Sequence, residues 1–571
     1  MDAKIDPKSA YLARPWLTHY DPGVPAEVDV PPMSLGDAFD AATKRHAERT
    51  ALVFYGRSIS FHELGTDTDR AAGAFAALGL GKGDRVALYL VNCPQFVIVY
   101  FALLKRGCVV TPISPVYTSH EVRHQLVDSG ARAVVCQDIL YDNVVRSGIR
   151  LDHIIITAID EYLPRFKKLL GRSPLGRLFP DFGAGTAPAP AAAAIRLSDL
   201  IAGGKPVANA AIDPDRDLAA LPYTGGTTGA PKGVMLTHRN LAAASAVGSA
   251  TFAQYLSKRE VEIAFLPFFH IYGQVVIMLN GLLRGSTLVL FTTPHTEEIL
   301  AAIERYQASV FYGVPTLYQY LSDHKDTDKV DWRRLKLVLC GADTLHEQTV
   351  RNWERRTKTP IIEGYGLSET CAISHVNPTR RCKVGSFGVP VPGMMAAVVD
   401  PDGSDCRAVG DSGELVLHGP NVMQGYWQAP AETAQAFLEM EGRRWLRTGD
   451  IVRMDEDGYF FFLDRRKDLI KYRGHSVFAR DIEHVLYEHP KVKSAGVIGI
   501  PDPEVGQRIR ALVVLNPDAR GKVSEDEIIG YCRERLAPYK VPHTVEFRGE
   551  LPKTDVGKVS RRELREEHGG T

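Results

Sequence analysis

The stretch YTGGTTGAPKG at residues 223–233 follows directly on the apolar Leu221 and on Pro222. Gly225, Gly226 and Gly229 let backbone amides close on phosphate oxygens, Thr224, Thr227 and Thr228 add hydroxyls, and Lys232 supplies a point charge. A Walker A loop places Ser or Thr after Gly-Lys, whereas Lys232 follows Pro231 and precedes Gly233, which argues against a P-loop NTPase. Composition alone leaves the stretch open between a phosphate cradle and a plain glycine turn.

Outward from this loop, short apolar runs alternate with helical segments. Residues 85–90, 108–113 and 133–136 read as strands, and 96–105 and 120–129 as helices. The rhythm returns with strand-like runs at 262–265, 287–291, 310–312 and 337–339. Buried strands between amphipathic helices predict an α/β fold of two layered subdomains. Between 384 and 463 helices thin out, and runs such as 413–418 and 458–463 among Gly and Pro turns predict a β-rich subdomain. The last hundred residues read as a small α+β unit.

Composition bounds the functional classes. At roughly 100–200 residues per domain, 571 residues make about three to five units. Balanced charge, 68 basic against 68 acidic residues, leaves no general basic surplus, so nucleic acid is not an expected partner. Eight scattered cysteines without a C-x-x-C pair suggest neither a zinc site nor a disulfide set, and a reducing cytoplasm is the natural setting. The N-terminus lacks the apolar core of a signal peptide. The most apolar run, 86–104, is broken by Asn92, Pro94 and Gln95, so strand, loop and buried helix are expected rather than a membrane span. Residues 184–194 are low-complexity and read as a surface loop or linker. The basic, Leu- and Phe-bearing segment at 160–180 stays open between a solvated helix and a peripheral membrane contact.

Further motifs follow in order: PFFHIYG at 267–273, CGADTL at 340–345, EGYGLSET at 363–370, RTGD at 447–450, DRRKDLIKYRG at 464–474 and LPKTDVGKVSRREL at 551–564. With the glycine loop, this series resembles the acyl-adenylate-forming superfamily of acyl-CoA synthetases, luciferases and adenylation domains. Gly225, where many relatives have serine, and HGPNVMQGYW at 418–427 look most like the bacterial long-chain fatty acid–CoA ligases. The resemblance implies an N-terminal adenylation domain over 1–463 and a small mobile C-terminal domain over 464–571, hinged near Lys467. It implies ATP and CoA as co-substrates, Mg²⁺ as cofactor, and a medium- or long-chain fatty acid activated as acyl-AMP.

The same resemblance assigns residues. Lys558 would bridge carboxylate and α-phosphate, where two anions meet and the developing phosphorus centre needs positive charge. Glu369, with Thr227, would hold Mg²⁺, since that ion takes one or two carboxylates plus phosphate oxygens. Ser368 keeps the hydroxyl of the commoner threonine. Tyr365 would stack on adenine, with the backbone of Gly341, Ala342, Glu363, Gly364 and Gly366 around it. Asp450 would accept the ribose hydroxyls and Arg465 would contact ribose and phosphate. His270 would orient the acid. Rotation about Lys467 would withdraw Lys558 and present Lys471, Arg473 and Gly474 to CoA.

One segment departs from the family pattern. Relatives commonly read V-x-P-x-E-I-E where this chain reads VFARDIE at 477–483, with Ala479 for proline and Asp481 for glutamate, so a rigid turn is expected to be lost. Other readings remain: a ligase for an aryl or dicarboxylic acid, with Arg380 or Arg381 pairing a second carboxylate; an acyl-AMP ligase serving a carrier protein; or a non-catalytic nucleotide-binding protein. Gly273, Gly281 and Gly341 would leave room for a long tail. The oligomeric state is open between monomer and homodimer.

Overall fold

A computed structural model describes residues 7–164, 194–224, 231–256, 259–293, 295–343, 345–473, 475–553 and 559–568. Gly225, Gly226, Thr227, Thr228, Gly229, Gly474 and Lys558 lie outside the described residues, as does most of the basic segment at 160–180 and of the low-complexity stretch.

Two nine-stranded sheets form the bulk of the chain. In the first, Ile362–Tyr365, Leu337–Cys340, Val310–Gly313, Val261–Ala264, Thr287–Leu290 and Thr50–Phe54 run parallel in that order. The second centres on parallel Arg85–Tyr89, flanked by Val109–Pro112 and Ala133–Gln137. Helix Pro94–Lys105 begins with proline at its first turn, where a missing N–H costs nothing. Every residue in it is buried, which explains an apolar run, residues 96–104, too short to span a membrane. Among the described residues no helix is long and apolar enough to cross one.

A third, antiparallel sheet holds Met395–Val399, Ser412–His418, Arg443–Met454, Phe437–Met440 and Phe460–Arg465. Its apolar side chains join the core of the first two sheets, a continuous cluster from Tyr11 to Phe460. The fourth sheet, with Val492–Asp502 against Gly506–Leu515, packs on a separate core drawn from residues 470–545. The chain is therefore α/β, with two layered α/β units, a β-rich unit and a small α+β unit.

The expected strand at 458–463 lies two residues later and includes Arg465. That shift sets Arg465 directly opposite Asp450 across the ladder. Helix Ala479–Glu488 begins at Ala479, the position where relatives carry proline, so the helix start persists without the rigid ring.

Candidate active site

Loops leaving the C-terminal ends of Val261–Ala264, Leu337–Cys340 and Ile362–Tyr365 meet over a cavity of about 740 Å³, the usual ligand position on a parallel sheet. The third sheet and the strand Lys232–Thr237 close its sides. Thr224, Lys232, His270, Gly341 and Ala342 line it, as do Gly364, Tyr365, Gly366, Ser368, Glu369, Asp450, Arg465 and Lys467.

The flanks of the glycine loop are paired as a hairpin, Thr224 opposite Lys232. Lys232 Nζ stands 3.7 Å from Glu432 Oε1 and 5.6 Å from the centroid of the Tyr426 ring. Tyr426 enters because its short strand pairs antiparallel with Lys232–Thr237. Its hydroxyl donates to Glu369 Oε1 at 2.9 Å. Burial raises the Glu369 carboxyl above its ordinary pKa, partly offset by the hydrogen bonds it accepts. A desolvated carboxylate with one oxygen already oriented fits a divalent cation that also takes phosphate oxygens. Among the described residues no group of three or more His, Cys, Asp or Glu could hold a metal.

The turn carrying Glu369 is built tightly. Cys371 and Ala372 adopt left-handed backbone with φ of 51° and 74°. A Cβ on Gly366 would stand 2.2 Å from Ala372 O, so only glycine fits. Buried Asn421 donates to Thr370 O at 2.8 Å and Ile373 O at 2.6 Å, and Met423 N–H donates to Glu369 O at 2.8 Å. Strained backbone concentrated beside a cavity is the signature of a preorganised site. Ala342, with φ of 72°, repeats it after the neighbouring strand Leu337–Cys340.

Tyr365 packs against Phe387 at 4.5 Å between centroids and edge-on to buried His375 at 5.8 Å. Its hydroxyl donates to Asp450 Oδ2 at 2.6 Å. Arg465 Nε lies 3.5 Å from Asp450 Oδ1, and that carboxylate holds the guanidinium above its ordinary pKa. Thr448 steers the strand, accepting Asp450 N–H at 3.1 Å and donating to Leu415 O at 2.9 Å. Burial pushes the Lys467 ammonium down to about 8.

His270 Nδ1 accepts the Tyr272 N–H at 3.3 Å, which assigns the ring proton of the neutral tautomer to Nε2. The residues after it, Tyr272–Leu279, form a π-helix, a rare element found mostly at functional sites. The cavity lining also includes the apolar Phe252, Val276, Leu339, Ile373 and Val376.

Several candidates from the sequence stand away from the cavity. Glu363 does not line the cavity: its Oε1 accepts the Leu345 N–H at 3.4 Å, and burial moves its carboxyl up to about 8 against the pull of Arg480. Lys471 sits on the fourth sheet and Arg473 just past its strand; Lys471 N–H donates to Gln507 Oε1 at 2.7 Å and Arg473 N–H to Val505 O at 2.9 Å. Neither lines the cavity. Of the three small residues, Gly341 alone lines it. Gly273 packs on Pro267 O, 2.3 Å from a hypothetical Cβ, and Gly281 on Leu288 and Glu262, so their size serves close packing. Arg380 and Arg381 stand exposed outside the cavity beside Asp21 and His19. Sequence reasoning assigns no role to Tyr426, Thr448 or Asn421, although all three fall within the motifs quoted above.

The family model described as AMP-binding enzyme matches residues 39–427, and its C-terminal domain model matches 481–558. A long-chain-fatty-acid–CoA ligase of Bacillus subtilis strain 168 is 37% identical over 562 residues, covering 97% of this chain and 98% of that protein. Among solved structures, ATP-bound MatB from Rhodopseudomonas palustris superposes with a TM-score of 0.82 at 28% identity, covering 94% of this chain and 99% of MatB. The apo form of that enzyme gives 0.70, at 29% identity and the same coverage. The anthranilate CoA ligase AuaEII with anthranoyl-AMP gives 0.81 at 25% identity, covering 95% of this chain and 98% of that one.

Proposed function

Since the chain belongs to the AMP-binding enzyme family and is an AMP-forming acyl-CoA ligase, we propose that its acid is a medium- or long-chain fatty acid. The observation that carries this choice is the apolar part of the cavity lining, where Phe252, Val276, Leu339, Ile373 and Val376 offer contact to an alkyl chain. The Bacillus subtilis ligase supports it. Arg380 and Arg381, the arginines considered for a second carboxylate, stand outside the cavity.

ATP binds with adenine on Tyr365 beside Gly341, Ala342, Gly364 and Gly366, its ribose hydroxyls on Asp450 and its phosphates between Arg465, Ser368 and the loop from Thr224 to Lys232. Glu369 would hold Mg²⁺ together with the triphosphate, and the ion would supply positive charge to the phosphate oxygens. The acid lies with its carboxylate near His270 and its tail along the apolar wall. Lys558 brings the carboxylate oxygen to the α-phosphorus, and proximity with charge stabilisation forms acyl-AMP. The C-terminal unit then turns about Lys467, exchanging Lys558 for the segment of Lys471, Arg473 and Gly474. The thiol sulfur of CoA attacks the acyl carbon and AMP departs. The higher TM-score with ATP-bound than with apo MatB supports reading this arrangement as the adenylating one.

Replacement of the bridging lysine tests the scheme. Lys558→Ala should lose acid-dependent pyrophosphate release by about 10³-fold or more, as expected when a transition-state charge contact is removed. It should spare CoA attack on supplied acyl-AMP. An undiminished first step would contradict the assignment.

A further inference from the structure

We propose that Asp464 and Arg561 form a latch that holds the adenylating arrangement, with Arg561 acting as a positioning residue for Lys558. The latch rests on the roles given above to Lys558 and Lys467. Asp464 lies on the strand Phe460–Arg465 of the third sheet, opposite Ile451, with its side chain fully buried. Its Oδ1 accepts from Arg561 Nη1 at 2.8 Å and its Oδ2 from the backbone N–H of Arg480 at 3.2 Å. Arg561 opens the helix Arg561–Glu567, three residues after Lys558. The chain on either side of 554–558 is tied by the bridge between Lys553 and Val559 and by Ser560 N–H donating to Pro552 O at 2.8 Å.

The same guanidinium meets two more carboxylates. Arg561 Nε donates to Glu483 Oε1 at 2.9 Å, and Nη1 stands 3.4 Å from Asp468 Oδ2. Burial opposes the charge on Arg561, but Glu483, Asp464 and Asp468 together outweigh it and raise its pKa. Asp468 and Glu483 follow Lys467 in the chain, on the same side as Arg561, whereas Asp464 precedes it. The neighbours of Lys467 are anchored to opposite sides. Arg466 Nη2 reaches Asp402 Oδ1 at 2.9 Å, and Asp468 Oδ1 accepts from Arg565 at 2.6 Å. A turn about Lys467 therefore keeps Arg561 with Glu483 and Asp468 and parts it from Asp464. The pair stabilises one arrangement only, and a buried charge that loses its partner is strongly disfavoured.

The half-reactions of the full chain, measured separately, test this. Asp464→Asn should slow acid-dependent pyrophosphate release about tenfold or more, the loss expected when a buried ion pair loses one partner. It should leave CoA attack on supplied acyl-AMP unchanged or faster. Arg561→Lys should recover part of the adenylation rate lost in Arg561→Ala. Glu483→Gln is the control for a purely structural effect, since Glu483 serves Arg561 and the Val497 N–H within the C-terminal unit: it should lower the melting temperature and slow both steps alike. Equal slowing of both steps by Asp464→Asn, or no change in either, would overturn the latch. If Lys558→Ala keeps its first step, the reading beneath the latch fails and takes the latch with it, whatever Asp464→Asn does.

Discussion

The Tyr365 hydroxyl donates a 2.6 Å hydrogen bond to Asp450 Oδ2, joining the end of the large parallel sheet to the antiparallel one. Asp450 faces Arg465 in the ladder, so its charge is placed by register rather than by side-chain reach. A carboxylate fixed from two directions is preorganised for paired hydroxyl donors.

Asp450→Asn should raise the KM for ATP about 10–100-fold, since a charge-assisted acceptor of roughly 1.5–3 kcal/mol is lost. Tyr365→Phe, which keeps the ring and removes the hydroxyl, should cost about tenfold or less. Steady-state comparison of ATP with 2′-deoxy-ATP checks the cause: discrimination between them should shrink in Asp450→Asn.

Tyr426 orients Glu369, so Tyr426→Phe should raise the Mg²⁺ concentration for half-maximal activity about tenfold, as for the loss of an outer-sphere partner. Glu369→Gln should raise it further. Calorimetric Mg²⁺ binding to the ATP complex gives the same ranking independently of turnover. Equal Mg²⁺ dependence in Tyr426→Phe and the wild type would argue against the orienting role.

Glu363 carries a pH signature. Its carboxyl stands at about 8 in the folded chain, above the ordinary 4.5. Folding therefore favours its protonated form. The associated stability is full below about pH 4.5 and is lost as pH rises through about 8. Glu363→Gln should melt with the wild type at pH 5 and about 1–3 °C above it at pH 8. Thermal melts across that range decide it, and a gap that narrows with rising pH would contradict the environment described.

Val276 lies on the apolar wall, so Val276→Phe should shorten the accepted chain. Each methylene lost from contact is worth about 1–3 kcal/mol, so kcat/KM for a C16 acid should fall about tenfold or more while a C8 acid changes little. Equal losses for both acids would place the tail elsewhere.

Much of the fold is legible in the sequence because it is local. The apolar run at 85–90 and the helix expected at 96–105 follow from periodicity, and both form within two residues of the expected bounds. The motifs single out Lys232, Tyr365, Glu369, Asp450 and Arg465, and all five line one cavity. What escapes the sequence depends on pairing between distant segments. Tyr426 reaches Glu369 only because 425–426 pairs with the strand after the glycine loop. Arg561 meets Asp464 only through the packing of the C-terminal helix. Gly273 and Gly281 mislead because small size reads alike whether it leaves space or lets backbone approach backbone.

The most direct test of the fatty acyl-CoA ligase is pyrophosphate release from ATP and Mg²⁺ across a panel of acids, with and without CoA. Acetate, C8, C12 and C16 acids, pimelate, benzoate and cinnamate span the relevant chemistry. Sustained release that requires both CoA and a C8–C16 acid is the predicted result. A single burst that CoA cannot relieve, or turnover confined to the aryl or dicarboxylic acids, would contradict it.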